Sequence, residues 1–180
     1  MTFYAVINTQ GALSMSAGDF TAEFAPAGPS RINLSASNLP VAGWVGDCSL
    51  ITPGIPRNPV AAAVLCCLGA SIQPYAGPVV ITGFRTYPYE PDACDLDEYV
   101  TAYLPTLHRD VRITLGLDAG DPPAHLSAEW VELVRDVAET ARTGSVPPIR
   151  IHRGDAVEEV EAGDTDGVLA AIQKLFGGVA

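Results

Sequence analysis

Lysine is nearly absent from this chain of 180 residues, and positive charge of any kind is scarce. Ten Lys and Arg stand against 21 Asp and Glu, for a net charge of −11. A surface so poor in cations has no electrostatic means of tracking a phosphate backbone, so direct binding to nucleic acid is not expected. Long apolar runs are missing too. The longest, Val60 to Ala70, falls well short of the ~20 residues that span a bilayer, so no membrane association is expected. Met1-Thr2-Phe3-Tyr4 shows no basic region ahead of an apolar one, which predicts no signal peptide and a cytoplasmic location. There is no C-x-x-C and no Cys/His pair at zinc spacing among the 4 cysteines. Cys66 and Cys67 are adjacent, and Cys48 and Cys94 stand alone. Buried free thiols in a reducing compartment are the expectation, with no metal and no disulfide framework. Neither G-x-S-x-G nor a phosphate-binding glycine loop occurs. A chain of this length buries roughly 70 % of its unfolded surface and needs no metal or disulfide to fold, and no cofactor is expected.

What is present is concentrated between Ile55 and Phe84. Asn58 is a good N-cap, because its side-chain oxygen can take a free N–H of a first helical turn. Pro59 suits the first helical position, where a missing N–H costs nothing. Val60, Val64, Leu65 and Leu68 supply bulk, and Ala61, Ala62 and Ala63 permit close approach. Gly69 fits the left-handed residue that ends a helix. This helix, 59–69, is apolar on every face and must be covered on all sides. Pro74 and Gly77 mark a turn, and Pro78 to Thr82 reads as a buried strand.

The pattern along the chain predicts an α+β fold with two parts. Residues 1–88 form a β-rich domain packed around the buried helix, and residues 89–180 an acidic, mainly helical subdomain. In the first part Phe3–Ile7, Ala12–Met15, Phe20–Phe24 and Arg31–Ala36 read as short strands, and Trp44-Val45 begins an apolar segment that leads to Leu50 and Ile51. A sheet with a helix on one face is the simplest way to cover both. Tyr87 to Pro91 is the expected boundary, since two prolines interrupt regular structure there. Beyond it, Asp95 is expected to cap a helix carrying Leu96, Tyr99, Val100 and Tyr103 on one face and ending at Pro105. The alternation of Val111, Ile113, Leu115 and Leu117 suggests a strand, with a helical continuation as the alternative. Leu126, Trp130, Leu133, Val134, Val137 and Ala141 form an amphipathic stripe that stops before Gly144. Ile149 and Ile151 suggest a strand paired with Ala156–Val160, and a last helix is expected from Asp164 or Thr165 to Gly177.

Two groups of residues are candidates for recognition. Arg57 and Asn58 lie at the mouth of the buried helix, where free N–H groups favour an anion, and Arg85 ends the following strand. Asp92, Asp95, Asp97 and Glu98 form an acidic cluster. It lacks the spacing of a calcium loop, so it reads as a helix N-terminus or a partner-binding surface. All of the net negative charge lies in residues 89–180. His108, His125 and His152 share no motif. Pairs such as Cys94–His108, or Cys48 with a histidine, have no specific signature of nucleophilic catalysis.

Gly43-Trp44-Val45, Pro56-Arg57-Asn58-Pro59 and Gly77-Pro78-Val79 through Gly83 together resemble a family catalogued as domain of unknown function 3846. The likeness covers about the first half of the chain. It implies a small cytoplasmic α+β protein of an actinobacterium or its phage, and it brings no catalytic residues. The expected function is non-enzymatic binding or regulation of a basic or polar protein partner, with a decoy that imitates DNA as one special form. The alternative is a small-molecule (anion) binder or enzyme with its pocket at Arg57, Asn58 and Arg85.

Overall fold

Strand β1 (Thr2–Ile7) turns at Asn8–Ala12 and returns as β2 (Leu13–Gly18), in unbroken antiparallel register from Ile7↔Leu13 to Thr2↔Gly18. The Asn8 side chain closes the turn by accepting the N–H groups of Gln10 and Ala12. Gly11 takes φ = 72° there, and a Cβ on it would lie 2.7 Å from Val60 Cγ2. Glycine thus meets both the turn and the close approach.

The computed structural model describes residues 1–32, 34, 39–47, 49, 52–87, 90–144, 149–153, 156–160, 170, 171, 173 and 174. They cluster into two compact units, 1–144 and 145–180. The division therefore falls after Gly144 and not in the Tyr87–Pro91 segment. Tyr87, Glu90 and Pro91 instead belong to paired strands, because β5 (Val79–Tyr87) pairs with β6 (Glu90–Cys94).

The first unit is built on a fully antiparallel sheet in the order β2-β1-β5-β4-β3, with β6 also paired to β5. β3 is Pro29–Ile32 and β4 is Val41–Gly46. Because β2 and β3 lie at opposite edges, the chain between them must cross one face. It does so as a 3-10 helix, Phe20–Phe24, where the sequence suggests a strand. Asp19 decides this locally: its carboxylate accepts both the N–H and the hydroxyl of Thr21, which fixes a helical turn. Phe20 and Phe24 then cover Tyr4, Val6, Val80 and Trp44.

The opposite face carries the main core. Helix α1 (Pro59–Cys67) lies on it, with Val60 through Leu65 all buried. It packs against β4 at Gly43, where a Cβ would sit 2.8 Å from Leu65 Cδ2. Helices α2 (Glu98–Thr114) and α3 (Ala128–Thr143) cover its other sides. Fully burying each of Val60, Val64, Leu65 and Leu68 is worth roughly 1.5–3 kcal/mol, and all are at most 2 % exposed. The helix ends as expected. Gly69, at φ = 98°, donates to Cys66 O, and Ala70 donates to Leu65 O, which satisfies the last free carbonyls.

α2 departs from the sequence reading at both ends. Its cap is Asp97, whose Oδ1 accepts Tyr99 N at 2.8 Å, whereas Asp95 Oδ1 accepts Phe3 N at 2.7 Å and ties down β1. Pro105 lies inside the helix and does not end it. A mid-helix proline forfeits one backbone bond and costs ~3 kcal/mol. Here the buried stripe Val100, Leu104, Leu107 and Val111 outweighs that loss, and Pro105 itself faces solvent. The alternating Val111–Leu117 stretch is therefore helical as far as Thr114, and Gly116 turns the chain at φ = 68°. α3 matches its stripe closely, capped by Ser127 and ended by Gly144 at φ = 75°.

In the second unit β7 (Ile149–Arg153) and β8 (Ala156–Val160) form the expected hairpin. Residues 170, 171, 173 and 174 are helical, and Lys174 Nζ lies 2.6 Å from Glu158 Oε1. The rest of the proposed last helix, its caps Asp164 and Thr165, Leu50, Ile51, Cys48, and Ser35-Ala36 lie outside the described residues. Among the described residues, no helix is long and apolar enough to cross a membrane.

Candidate functional site

Asn58 is wholly buried and every part of its amide is engaged. Oδ1 accepts Ala61 N at 3.1 Å, which caps α1. Nδ2 donates to Asn8 O at 2.9 Å, Gly77 O at 3.0 Å and Ile7 O at 3.3 Å. Its backbone N–H donates to Tyr75 O, and its carbonyl accepts Ala62 N. One side chain thus joins the end of β1, the start of α1 and the approach to β5. Of the motifs behind the family resemblance, those of Asn58 and Gly77 meet at this joint, whereas Gly43 packs against Leu65 further along α1.

Arg57 and Arg85 do not converge on it. Arg57 is exposed and bridges to Ala76 in the backbone. Its guanidinium lies beside Gly144, where a Cβ would come 3.3 Å from Nη2. It thus places a cation at the C-terminal end of α3, where the helix dipole favours one. Arg85 sits six residues along β5 from Val79, and at ~3.3 Å per residue that strand carries it roughly 20 Å away from the joint. Arg85 is therefore apart from Arg57 and Asn58, and the Asn58 amide is already engaged within the fold.

The acidic cluster is partly structural as well. Asp95 and Asp97 spend their carboxylates on Phe3 N and Tyr99 N. Glu98 is exposed in the first turn of α2, and Asp92 pairs with Arg85 in the β5–β6 register. Between Arg85 and His108 the sequence holds five acidic residues and no basic one.

On this acidic segment the structure divides residues that the pattern placed on one helix face. Val100 and Leu104 point inward, while Tyr99 and Tyr103 are 67 % and 37 % exposed. Their rings stack on the helix surface, with centroids 6.3 Å apart and planes 7° from parallel. Spacing of i and i+4 places two residues on one face but does not say which face is covered. Tyr103 has its phenol pKa raised, by burial first and then by Cys67, Tyr99 and Asp110. Asp110 is itself buried, with Arg109 Nη2 at 2.9 Å and His125 Nε2 at 3.8 Å.

Cys66 and Cys67 make poor nucleophiles. Burial pushes Cys67 up to about 12, aided by Cys66 and opposed by a hydrogen bond from Trp130; burial also raises Cys66. Cys66, Cys67 and Cys94 are free and only partly buried, so the expectation of buried thiols holds in part. Among the described residues, no group of three His, Cys, Asp or Glu is placed to hold a metal.

A cleft of ≈ 310 Å³ opens where the β3–β4 end of the sheet meets the segment after α1. Ser30, Asp47, Ser49, Ser71, Gln73 and Tyr75 give it a polar lining. They come from three separate stretches with no shared motif, so nothing in the sequence marks them.

No protein-family model, curated protein or solved structure matches this chain. The geometry places it in a broad class: an α+β protein whose antiparallel sheet is covered on one face by three helices. Its described residues present an acidic helix face with two stacked tyrosines and a polar cleft.

Proposed function

We propose that this is a non-enzymatic, cytoplasmic binding protein that recruits an arginine-bearing segment of a basic protein partner on the N-terminal half of α2. The observation that carries the reading is the exposed, stacked Tyr99–Tyr103 pair inside a stretch of purely acidic charge. Tyrosine supplies a large contact area at low entropic cost and is over-represented among residues that dominate interfaces. A guanidinium over a tyrosine ring gains about 0.5–1 kcal/mol at an exposed site, and nearby carboxylates raise the local cation concentration. The same charge disfavours nucleic acid as the partner. The resemblance to the domain of unknown function 3846 extends the proposal to a phage or mobile-element setting and adds no catalytic residue.

Fluorescence anisotropy with a labelled deca-arginine peptide tests it. The arginine peptide is expected to bind more tightly than deca-lysine and to weaken as salt rises. Tyr99→Ala/Tyr103→Ala removes about 1–2 kcal/mol of ring contact, which is roughly a five- to thirtyfold loss of affinity. Equal binding by wild type and this variant would mean that only diffuse charge is at work, and the proposal fails.

A further inference from the structure

We infer that the cleft between the β3–β4 end and the 71–75 segment binds a small, uncharged, polyhydroxylated molecule of the sugar or polyol class. This goes beyond the helix-face reading and does not depend on it. The cleft, at ≈ 310 Å³, falls in the size range of small-ligand sites. Its polar groups are mainly neutral: the hydroxyls of Ser30, Ser49 and Ser71, the Gln73 amide and the Tyr75 phenol. Two are set in advance, since Gln73 Nε2 donates to Tyr75 Oη at 2.7 Å. That leaves the Gln73 carbonyl to accept and the Tyr75 hydroxyl to donate toward a ligand. Tyr75 is 3 % exposed, so this pair is held by the fold.

Charge selects further. Asp47 adds an acidic residue to the lining, which disfavours an anion. Arg31 does not offset it. Ile32 packs in the helix-side core, so strand alternation sends the Arg31 side chain to the other face, where its guanidinium lies 5.2 Å over the Phe84 ring. Arg31 meets the cleft through its backbone. Asp47 N donates to Gly28 O, and from that pair the ladder alternation turns the Arg31 N–H and C=O away from β4, onto the free edge of β3. Ile32 and Val45 add apolar surface for the C–H face of a ring. Among the described residues the lining combines donors and acceptors without a cationic side chain, which suits neighbouring hydroxyls.

Saturation-transfer NMR on the full chain tests this with four probes: myo-inositol, glucose, glucosamine and gluconate. A saturable signal from myo-inositol or glucose, and none from gluconate, is expected. Gln73→Leu and Tyr75→Phe should each weaken it about fivefold, the worth of one hydrogen bond. Tyr99→Ala/Tyr103→Ala should leave it unchanged, which separates this site from the helix face. The inference is overturned if neither neutral probe gives a saturable signal or if gluconate or glucosamine binds more tightly. It also fails if both cleft variants, shown folded by circular dichroism, bind as wild type does.

Discussion

Replacing Asn58 separates two contributions that a helix cap usually hides. Asn58→Ala removes the Ala61 cap bond, worth about 1 kcal/mol. It also strips the donor from the carbonyls of Asn8 and Gly77, and from the longer contact to Ile7. The Gly77 carbonyl is left without this donor at about 1–3 kcal/mol, whereas the Asn8 carbonyl keeps the Gly11 N–H at 2.9 Å and loses one bond worth about 1 kcal/mol. The expected loss is about 3–5 kcal/mol, a large share of the ~5–15 kcal/mol typical of a domain. Asn58→Ser keeps an oxygen for the cap but cannot reach the carbonyls, so it should retain most of the loss, about 2–4 kcal/mol. Urea unfolding followed by tryptophan fluorescence reads the first unit directly, since Trp44 and Trp130 both lie in it. At a slope of about 2 kcal/mol/M, Asn58→Ala moves the midpoint down by roughly 1.5–2.5 M. If Asn58→Ser unfolds within 0.5 M of wild type, Asn58 is only a cap and the joint described above does not exist; the 0.5 M limit corresponds to about 1 kcal/mol.

Three further outcomes follow from the same geometry. A Cβ at Gly83 would overlap the Asp95 carbonyl and come 2.9 Å from Cys94 Sγ, against backbone held by Leu96 N to Phe3 O. Gly83→Ala should therefore cost about 3 kcal/mol in a thermal or urea melt, and Gly43→Ala, which meets only the tip of Leu65, should cost less. His108 has its pKa lowered, mainly by burial and then by Arg112, against the opposing effects of its 2.8 Å contact with Gly11 O and of Asp118. The unfolded chain then binds more protons than the folded one as pH falls below the ordinary 6.5. Stability is full above that value and declines as pH drops through the lowered folded pKa. His108→Gln should flatten that part of the pH–stability curve, and an unchanged slope contradicts the assignment. With its thiol pushed up to about 12, Cys67 should be alkylated by iodoacetamide at pH 8 at least about a hundredfold more slowly in the folded protein than in urea, as read by peptide mass spectrometry.

Much of the framework is legible in local chemistry. α1 and α3 carry unambiguous start and stop signals, and the Asn58, Gly69, Ser127 and Gly144 termini behave as their side chains and φ preferences require. The β7–β8 pairing follows from the alternation around Gly154-Asp155. Where the reading fails, short-range signals compete. Phe20–Phe24 has strand-like composition, yet Asp19 and the need to cross the sheet impose a 3-10 turn. Pro105 reads as a terminator, but four buried residues on its helix hold the turn together.

Elements with a local cause are written in the chain itself: a capped apolar helix, an amphipathic helix, alternating strands, and an acidic stretch without cations. Packing set which face of α2 is covered, sealed Asn58 in a joint with Arg85 at a distance from it, and brought Ser30, Asp47, Ser71, Gln73 and Tyr75 to one cleft. The physical reason is range. Caps and periodicity act over a few residues of chain, whereas burial and convergence depend on which distant segments the sheet order and helix packing bring together.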